Sequence, residues 1–305
     1  MTPHSIQMRA SAKINWDLRI LGKRPDGYHE LDSIFVTIGL SDVLTVEPSA
    51  ELSMTCSDPT LPVDASNLVM KAATLLRQSA GITRGAKLHL EKHIPMGGGL
   101  GGGSSDAACA LDALNQLWEL NWDVTQLAAI AAQVGSDVAY FLYSGWCLCR
   151  GRGEIVRRLP DSDAWVPRKL LLVLPPLHVA TPLVYKALNA PHWNADGGRD
   201  AAQVGPALSE ALHGAGANSL DLRNDLTPAA LSVEPRLKAI QHVLHTYFPN
   251  RWLMSGSGAS HFAVPEDGGA FDKMDELVKR LRDAVPATRV IETETMACGM
   301  TIARA

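Results

Sequence analysis

The segment Gly97-Gly98-Gly99-Leu100-Gly101-Gly102-Gly103 places six glycines in seven residues. Glycine loses more backbone entropy on folding than any other residue, so a run this dense is kept only where bare backbone is needed. Ahead of it, Ala86 to His93 alternates Leu88 and Leu90 with polar residues, the pattern of a strand. Behind it, Ala107, Cys109, Ala110, Leu111, Leu114, Leu117 and Trp118 recur at helical spacing. That predicts a helix to about Leu120, with Ser104 or Ser105 as its N-cap. A glycine loop between a strand and a helix start can turn its amides inward with no Cβ in the way. The helix N-terminus adds about half a unit of positive charge. Such a loop is a natural cradle for phosphates.

Two familiar phosphate loops do not fit. A Walker A loop requires Lys directly after its last glycine, and no Lys follows any of these glycines. Gly97, Gly99 and Gly102 do satisfy GxGxxG. A dinucleotide fold then needs a strand after the helix, ending in an acidic residue about 20 positions on. Asp123 has that spacing, but Asp123 to Val134 reads as a helix closed by Gly135.

Composition bounds the rest. At about 150 residues per domain, 305 residues suggest two domains or one large one. A hydrophobic fraction of 46% against 20% charged residues supplies a core and excludes a wholly disordered chain. Lys and Arg number 28 against 32 Asp and Glu, a net charge of −4. That argues against nucleic acid as the main partner, which would need a basic surface, but not against a small phosphorylated ligand. The cysteines (Cys56, Cys109, Cys147, Cys149, Cys298) are odd in number and form no CxxC pair, and the histidines form no HExxH pattern. Neither a disulfide framework nor a structural metal is expected. Residues 1–12 show no apolar secretory core, and Val138 to Cys149 and Leu170 to Leu177 are too short to span a bilayer. The expectation is a soluble, cytoplasmic protein with no membrane partner.

Along the chain, Gly22 to Tyr28 reads as a turn and Asn67 to Ala80 as a helix. Ile34 to Leu40 and Asp42 to Glu47 read as short strands parted by a turn at Gly39 to Asp42. Pro160 to Arg168 reads as a linker, Lys169 to Leu174 as a buried strand, and Ala190 to Asn218 as a mobile surface insertion. Leu237 to Tyr247 and Gly269 to Val285 read as helices, Val290 to Glu294 and Met300 to Ala303 as closing strands. Helices and strands alternate without a strict βαβ rhythm, so the expected class is α+β.

The whole string Pro95 to Ala108, PMGGGLGGGSSDAA, resembles the ATP-binding motif of the GHMP small-molecule kinases. Ser11-Ala12-Lys13-Ile14-Asn15 precedes Gly22 to Leu31, with its RPDGYHEL run, and Gly135-Ser136-Asp137-Val138 follows the glycine loop. Asn224-Asp225-Leu226 and Met254 to Ser260 come later. In this order the segments resemble the branch of the family that acts on 4-diphosphocytidyl-2-C-methyl-D-erythritol, in the non-mevalonate isoprenoid pathway. The likeness runs from about Ala10 to Ala263.

The resemblance implies a two-domain α+β GHMP kinase fold with the site in the interdomain cleft. Residues 1–159 would form the N-terminal ATP-binding domain and 160–305 the C-terminal domain. It implies ATP-dependent phosphorylation of the substrate's 2-hydroxyl, with Mg2+. Pro95, Met96, Gly97, Gly98, Gly99, Leu100, Gly101, Gly102, Gly103, Ser104 and Ser105 would hold ATP. The metal ligands stay unassigned, Ser105 being the one suggestion. From local sequence alone, Asp137 reads equally as a cap for a helix starting near Val138 and as a partly desolvated base; the resemblance favours the base. Strand alternation puts Lys13 and Asn15 on one face, and the resemblance places Lys13 beside the base and Asn15 on the substrate. Tyr28 and His29 would bind cytidine, with Tyr185 a second stacking aromatic. Gly256-Ser257-Gly258 would close the site as a second glycine-rich turn. Ser136 and Ala139 stand where related kinases usually carry Ala and Pro, and His261 where a hydrophobic residue is commoner.

Overall fold

The fold is built on one long hairpin, β1 (Ile6–Lys23) and β2 (His29–Ser49), joined by a turn at Arg24–Tyr28. The turn is closed locally: the Arg24 amide donates to the Tyr28 carbonyl at 2.7 Å and the Tyr28 amide to the Asp26 side chain at 3.0 Å. In the computed structural model described here, residues 5–160, 167–192, 198–213, 222–265, 273–296 and 301–303 are placed.

Along the chain there follow β3 (Leu52–Cys56), α1 (Leu68–Ser79), β4 (Gly85–Glu91), α2 (Gly102–Leu117), α3 (Val124–Val134), α4 (Val138–Tyr143), β5 (Trp146–Gly151) and β6 (Ile155–Arg158). Then come β7 (Lys169–Leu174), α5 (Thr181–Ala187), α6 (Ala201–His213), β8 (Arg223–Asn224), α7 (Thr227–Val233), α8 (Leu237–Tyr247), β9 (Trp252–Met254), β10 (His261–Ala263), α9 (Met274–Ala284), β11 (Arg289–Glu294) and β12 (Thr301–Ala303).

The strands form two sheets. The first has the order β12-β1-β2-β4-β3, with β5 and β6 continuing from β2 and β8 lying beside β1. The second has the order β11-β7-β10-β9. The mixed architecture agrees with the α+β expectation. Two strands from the C-terminal half, β8 and β12, complete the first sheet. The chain therefore returns to its starting sheet twice after Leu159.

An irregularity in β1 decides which way Lys13 faces. Pairing with β2 shifts between Ser11 and Lys13, and a bulge of this kind re-aims the residues beyond it. Before the shift, Ile6, Met8 and Ala10 pack with α1 and α2 in one core cluster. After it, Ala12, Ile14 and Trp16 pack with Leu170, Leu172 and Phe262 of the second sheet. Lys13 and Asn15 are left on the opposite face, as strand alternation requires. β7 is apolar on both faces because both are covered: Leu170, Leu172 and Leu174 meet the first sheet, while Leu171 and Val173 meet α8 and α9.

The same shift replaces the expected turn at Gly39 to Asp42. β2 runs through it as one strand and changes partners, pairing with β5 over Leu31–Val36 and with β4 over Val43–Ser49. Ile38 at the irregularity bridges to Thr295, so the chain there is held by the C-terminal half rather than turning back. A second correction concerns α2. Its N-cap is Gly101, with φ of 72° and no side-chain cap, and Ser104 and Ser105 lie inside the first turn. The Ser105 hydroxyl is committed to the Ser11 carbonyl at 2.7 Å.

The remaining expectations divide. The helices over Asn67–Ala80 and Leu237–Tyr247 and the strand over Lys169–Leu174 are present, the first capped by the Asn67 side chain on the Val69 amide. The expected surface insertion over Ala190–Asn218 contains a helix, α6, whose Val204 and Leu208 join the core between the sheets. Residues 161–166 of the expected linker, 193–197 and 214–221 of that insertion, 269–272 of the expected last helix and Met300 lie outside the described residues. Among the described residues all four cysteines are free, and no helix is long and apolar enough to cross a membrane.

Candidate active site

The glycine loop is shaped by what presses on it from both sheets. Gly99 has φ of +74°, and a Cβ there would collide with the Ser255 carbonyl oxygen. Gly101 has φ of +72°, and a Cβ would meet Phe141 at 2.7 Å and the Lys13 stem at 3.2 Å. The left-handed conformation and the close contacts each demand glycine. From β1, the Lys13 amide donates to the Leu100 carbonyl at 3.0 Å. From the second sheet, the Ser255 hydroxyl donates to the Gly99 carbonyl at 3.0 Å and the Ser260 amide to the Gly98 carbonyl at 3.2 Å. The Gly256–Gly258 turn therefore does close onto the first loop. Asn224 steadies that turn, its amide donating to the Met254 and Gly256 carbonyls at 2.7 and 2.8 Å.

At the mouth of the loop stand Lys13 and Asp137. The Lys13 ammonium donates to Asn15 Oδ1 at 2.7 Å and lies 3.7 Å from Asp137 Oδ2. It also sits 4.6 Å over the Phe35 ring. Burial pulls Lys13 below the ordinary lysine range, and the Asp137 charge opposes that fall. Asp137 occupies the N-cap position of α4, yet its side chain caps nothing. At 30% exposure its carboxylate is open to a ligand. The capping alternative thus loses its basis. Asn15 is fixed in turn, its side-chain amide donating to the Ser33 hydroxyl at 2.9 Å, which donates to the Asp17 carbonyl at 2.6 Å.

An aromatic group lies in the same cleft. The His29 and Tyr185 rings are 5.2 Å apart and inclined by 35°. Burial, aided by the Lys23 charge, lowers the pKa of His29, so its imidazole is neutral at pH 7. Burial pushes the Tyr185 phenol up, so it keeps its proton. Tyr28 is 54% exposed and presents its ring to the cleft.

One cleft of about 1130 Å³ joins these groups. Lys13, Asn15, Tyr28, His29, Pro95, Met96, Gly97, Gly98, Gly99, Leu100, Gly101, Gly102, Gly103, Ser104, Asp137 and Tyr185 all line it. Ser105 does not line it: the residue is fully buried, and its hydroxyl points to β1. The cleft brings five cations, Lys13, Lys23, Lys92, Arg152 and Lys186, against the two carboxylates Asp106 and Asp137. An acidic chain thereby carries a locally positive cavity, suited to phosphorylated ligands.

Several residues escaped the sequence reading. Asp42, at the β2 irregularity, accepts the amides of His93 and Ile94 and pairs with Lys92. It anchors the chain leading into the glycine loop. Lys92 also lies 3.1 Å from Asp106 Oδ2. Burial pulls Lys92 down, but Asp106 and Asp42 outweigh it and hold the ammonium above its ordinary range. Burial raises the Asp106 carboxyl well above its ordinary value, with Lys92 opposing, and its Oδ1 is buried without a hydrogen-bond partner. Asp42 carries no local signal, since an aspartate within an alternating strand looks like a solvated residue. Arg152 did carry one, being flanked by Gly151 and Gly153.

The family model for the GHMP kinases N terminal domain matches residues 67–145, which span α1, the glycine loop and Asp137. A 4-diphosphocytidyl-2-C-methyl-D-erythritol kinase of Heliobacterium modesticaldum is 41% identical over 83% of this chain and 84% of its own. The kinase of that name from Chlorobium chlorochromatii is 36% identical over 94% and 98%. A solved structure of a 4-(cytidine 5'-diphospho)-2C-methyl-D-erythritol kinase superposes with a TM-score of 0.73 at 34% identity, covering 95% of this chain and 98% of that one. A homoserine kinase from Cytophaga hutchinsonii shares the fold, with a TM-score of 0.72 at 20% identity, covering 99% and 98%. Identity above 30% across most of both partners, on a cleft that joins the glycine loop, the Lys13–Asp137 pair and the His29–Tyr185 pair, places this chain in the GHMP kinase superfamily, within the 4-diphosphocytidyl-2-C-methyl-D-erythritol kinase family.

Proposed function

We propose that the protein transfers the γ-phosphoryl group of ATP to the 2-hydroxyl of 4-diphosphocytidyl-2-C-methyl-D-erythritol, in the non-mevalonate isoprenoid pathway. The observation that carries this reading is the placement of the Lys13–Asp137 pair and the His29–Tyr185 pair in one cleft with the glycine loop. Phosphoryl transfer asks a protein for positioning and charge stabilisation rather than covalent chemistry. The loop amides from Gly97 to Gly103, with Ser104, hold the phosphates. Asp137 accepts the proton of the 2-hydroxyl as its oxygen bonds to the γ-phosphorus. The bond from that phosphorus to the β-phosphate oxygen breaks, and ADP leaves. Lys13 orients Asp137 and lowers the energy of the developing negative charge. Asn15 is held by Lys13 and Ser33 to meet the substrate. Neutral His29 offers a donor and an acceptor to cytosine, and Tyr28 and Tyr185 offer ring faces.

Mg2+ fits the residues present. Asp106 lines the cleft and its buried Oδ1 has no hydrogen-bond partner, and Ser104 lines the cleft nearby in sequence. Among the described residues no three His, Cys, Asp or Glu side chains converge. That suits an ion bound through one carboxylate and the nucleotide phosphates. When bound it would neutralise phosphate charge in the transition state. The remaining readings are a division at Leu159/Pro160, a cytoplasmic setting, and small molecules rather than nucleic acid as partners.

The test is ADP release by purified protein given ATP with the cytidyl substrate, mevalonate or homoserine in turn. Turnover with the cytidyl substrate is expected. Turnover with only mevalonate or homoserine would reassign the acceptor. Nucleotide binding without ADP formation from any acceptor would indicate a non-catalytic sensor.

A further inference from the structure

Arg152 stands between the two ends of the cleft. Its guanidinium carbon lies 4.8 Å from the centroid of the Tyr28 ring, at the aromatic end. The next residue, Gly153, touches the other end: a Cβ on it would lie 3.0 Å from Asp137 Oδ1. Ser136, Asp137, Tyr28 and Arg152 all line the same cavity. A ligand with its base among the aromatics and its reacting hydroxyl at Asp137 must pass Arg152 between them.

The loop carrying Arg152 is fastened rather than loose. The Gly151 amide donates to Glu30 Oε1 at 3.1 Å and the Arg152 amide to Glu154 Oε2 at 2.6 Å. The guanidinium itself is only loosely engaged. Among the described residues its one ion-pair partner is Glu154 Oε1, at 3.8 Å, and Arg152 is about a third exposed. A guanidinium has five donors in a planar fork that matches phosphate oxygens two at a time. Its place over the Tyr28 ring holds the guanidinium at the cleft and leaves those donors for a ligand.

We propose that Arg152 receives the diphosphate linking the nucleoside to the acceptor alcohol, and so selects acceptors that carry it. This rests on the kinase reading above and names the group that makes that site prefer a diphosphate ester over a free alcohol. Lys23 and Lys186, which also line the cleft, add field without a fixed plane.

The experiment measures cytidine, CMP and CDP binding to the full-length protein without ATP, for wild type, Arg152→Met and Arg152→Lys. Charged hydrogen bonds of this kind correspond to about a 10- to 100-fold effect. Arg152→Met should weaken CDP by that factor and cytidine by only a few-fold, from the lost stacking on Tyr28. Arg152→Lys should restore part of the CDP affinity, since charge returns without the fork. In turnover, Arg152→Met should raise the KM for the cytidyl substrate and leave the KM for ATP unchanged. Equal weakening of cytidine and CDP, or an equal rise in the KM for ATP, would overturn the assignment. If wild type itself binds CDP no better than cytidine and does not use the cytidyl substrate, the kinase reading falls and takes the inference with it. If wild type shows both properties and Arg152→Met keeps them, only the inference falls.

Discussion

Lys13 Nζ stands 3.7 Å from Asp137 Oδ2, although the two residues lie far apart in the sequence, one in β1 and one at the N-cap of α4. The β1 irregularity turns Lys13 to this face, and the glycine loop is hydrogen-bonded to the Lys13 backbone. Asp137→Asn keeps the shape and removes the proton acceptor. Its kcat should fall by about 10²–10⁴-fold, with ATP affinity and far-UV circular dichroism unchanged. Near-wild-type turnover would remove Asp137 from the role of base.

Buried Lys13 loses its proton at a lower pH than an ordinary lysine. The ammonium is the working form, so activity is present below that lowered pKa and is lost as pH rises through it. The alkaline limb of kcat should therefore lie below the usual lysine value of 10.5. A pH–rate profile flat through pH 10.5 would contradict this.

The glycine loop should respond to methyl groups position by position. Gly99→Ala forces a Cβ onto the Ser255 carbonyl at a positive φ. It should cost more than the roughly 1–2 kcal/mol of the backbone conformation alone. Gly103 lies inside α2, and a Cβ there would meet only Leu68, at 3.7 Å. Gly103→Ala should leave stability unchanged or raise it by up to about 1 kcal/mol. Urea denaturation of the two variants separates the cases, and equal losses would refute the packing account.

At the aromatic end, Tyr185→Ala should weaken cytidyl-substrate binding by about 1–3 kcal/mol and leave the KM for ATP alone. A matching loss of ATP affinity would show that the His29–Tyr185 pair does not define a separate subsite.

Asp42 is fully buried, holds the amides ahead of the glycine loop and pairs with Lys92. Breaking such a pair on one side costs about 3–5 kcal/mol, because a buried charge is left uncompensated. Asp42→Asn should show that loss in chemical denaturation. Combined with Lys92→Met it should cost less than the sum of the single changes, as coupled neighbours do. Strict additivity would mean that the pair is not coupled.

What the sequence disclosed follows the range of the forces involved. The phosphate loop was visible because its glycines cluster within seven residues, and the helices over Asn67–Ala80 and Leu237–Tyr247 because their apolar spacing is local. Lys13, Asp137, His29 and Tyr185 were reached through resemblance, since nothing local brings residues so far apart into one cleft. The turn expected at Gly39 to Asp42 failed because long-range pairing with β4, β5 and Thr295 overrides the local glycine signal. Ser105 failed as a cap because the helix already starts at Gly102, which leaves Ser105 inside the first turn with its hydroxyl on the Ser11 carbonyl of β1, a partner invisible in sequence. Asp42 was missed for the same reason: its partners lie about fifty residues away.

The central claim is that the Lys13–Asp137 pair directs a phosphoryl group from ATP onto one hydroxyl of the cytidyl substrate. Phosphorus NMR of a reaction of purified protein, ATP and 4-diphosphocytidyl-2-C-methyl-D-erythritol tests it most directly. A new phosphomonoester at the 2-position, growing in step with ADP and missing with Asp137→Asn, is the predicted result. A phosphate at another position, or the same product formed at an undiminished rate by Asp137→Asn, would contradict it.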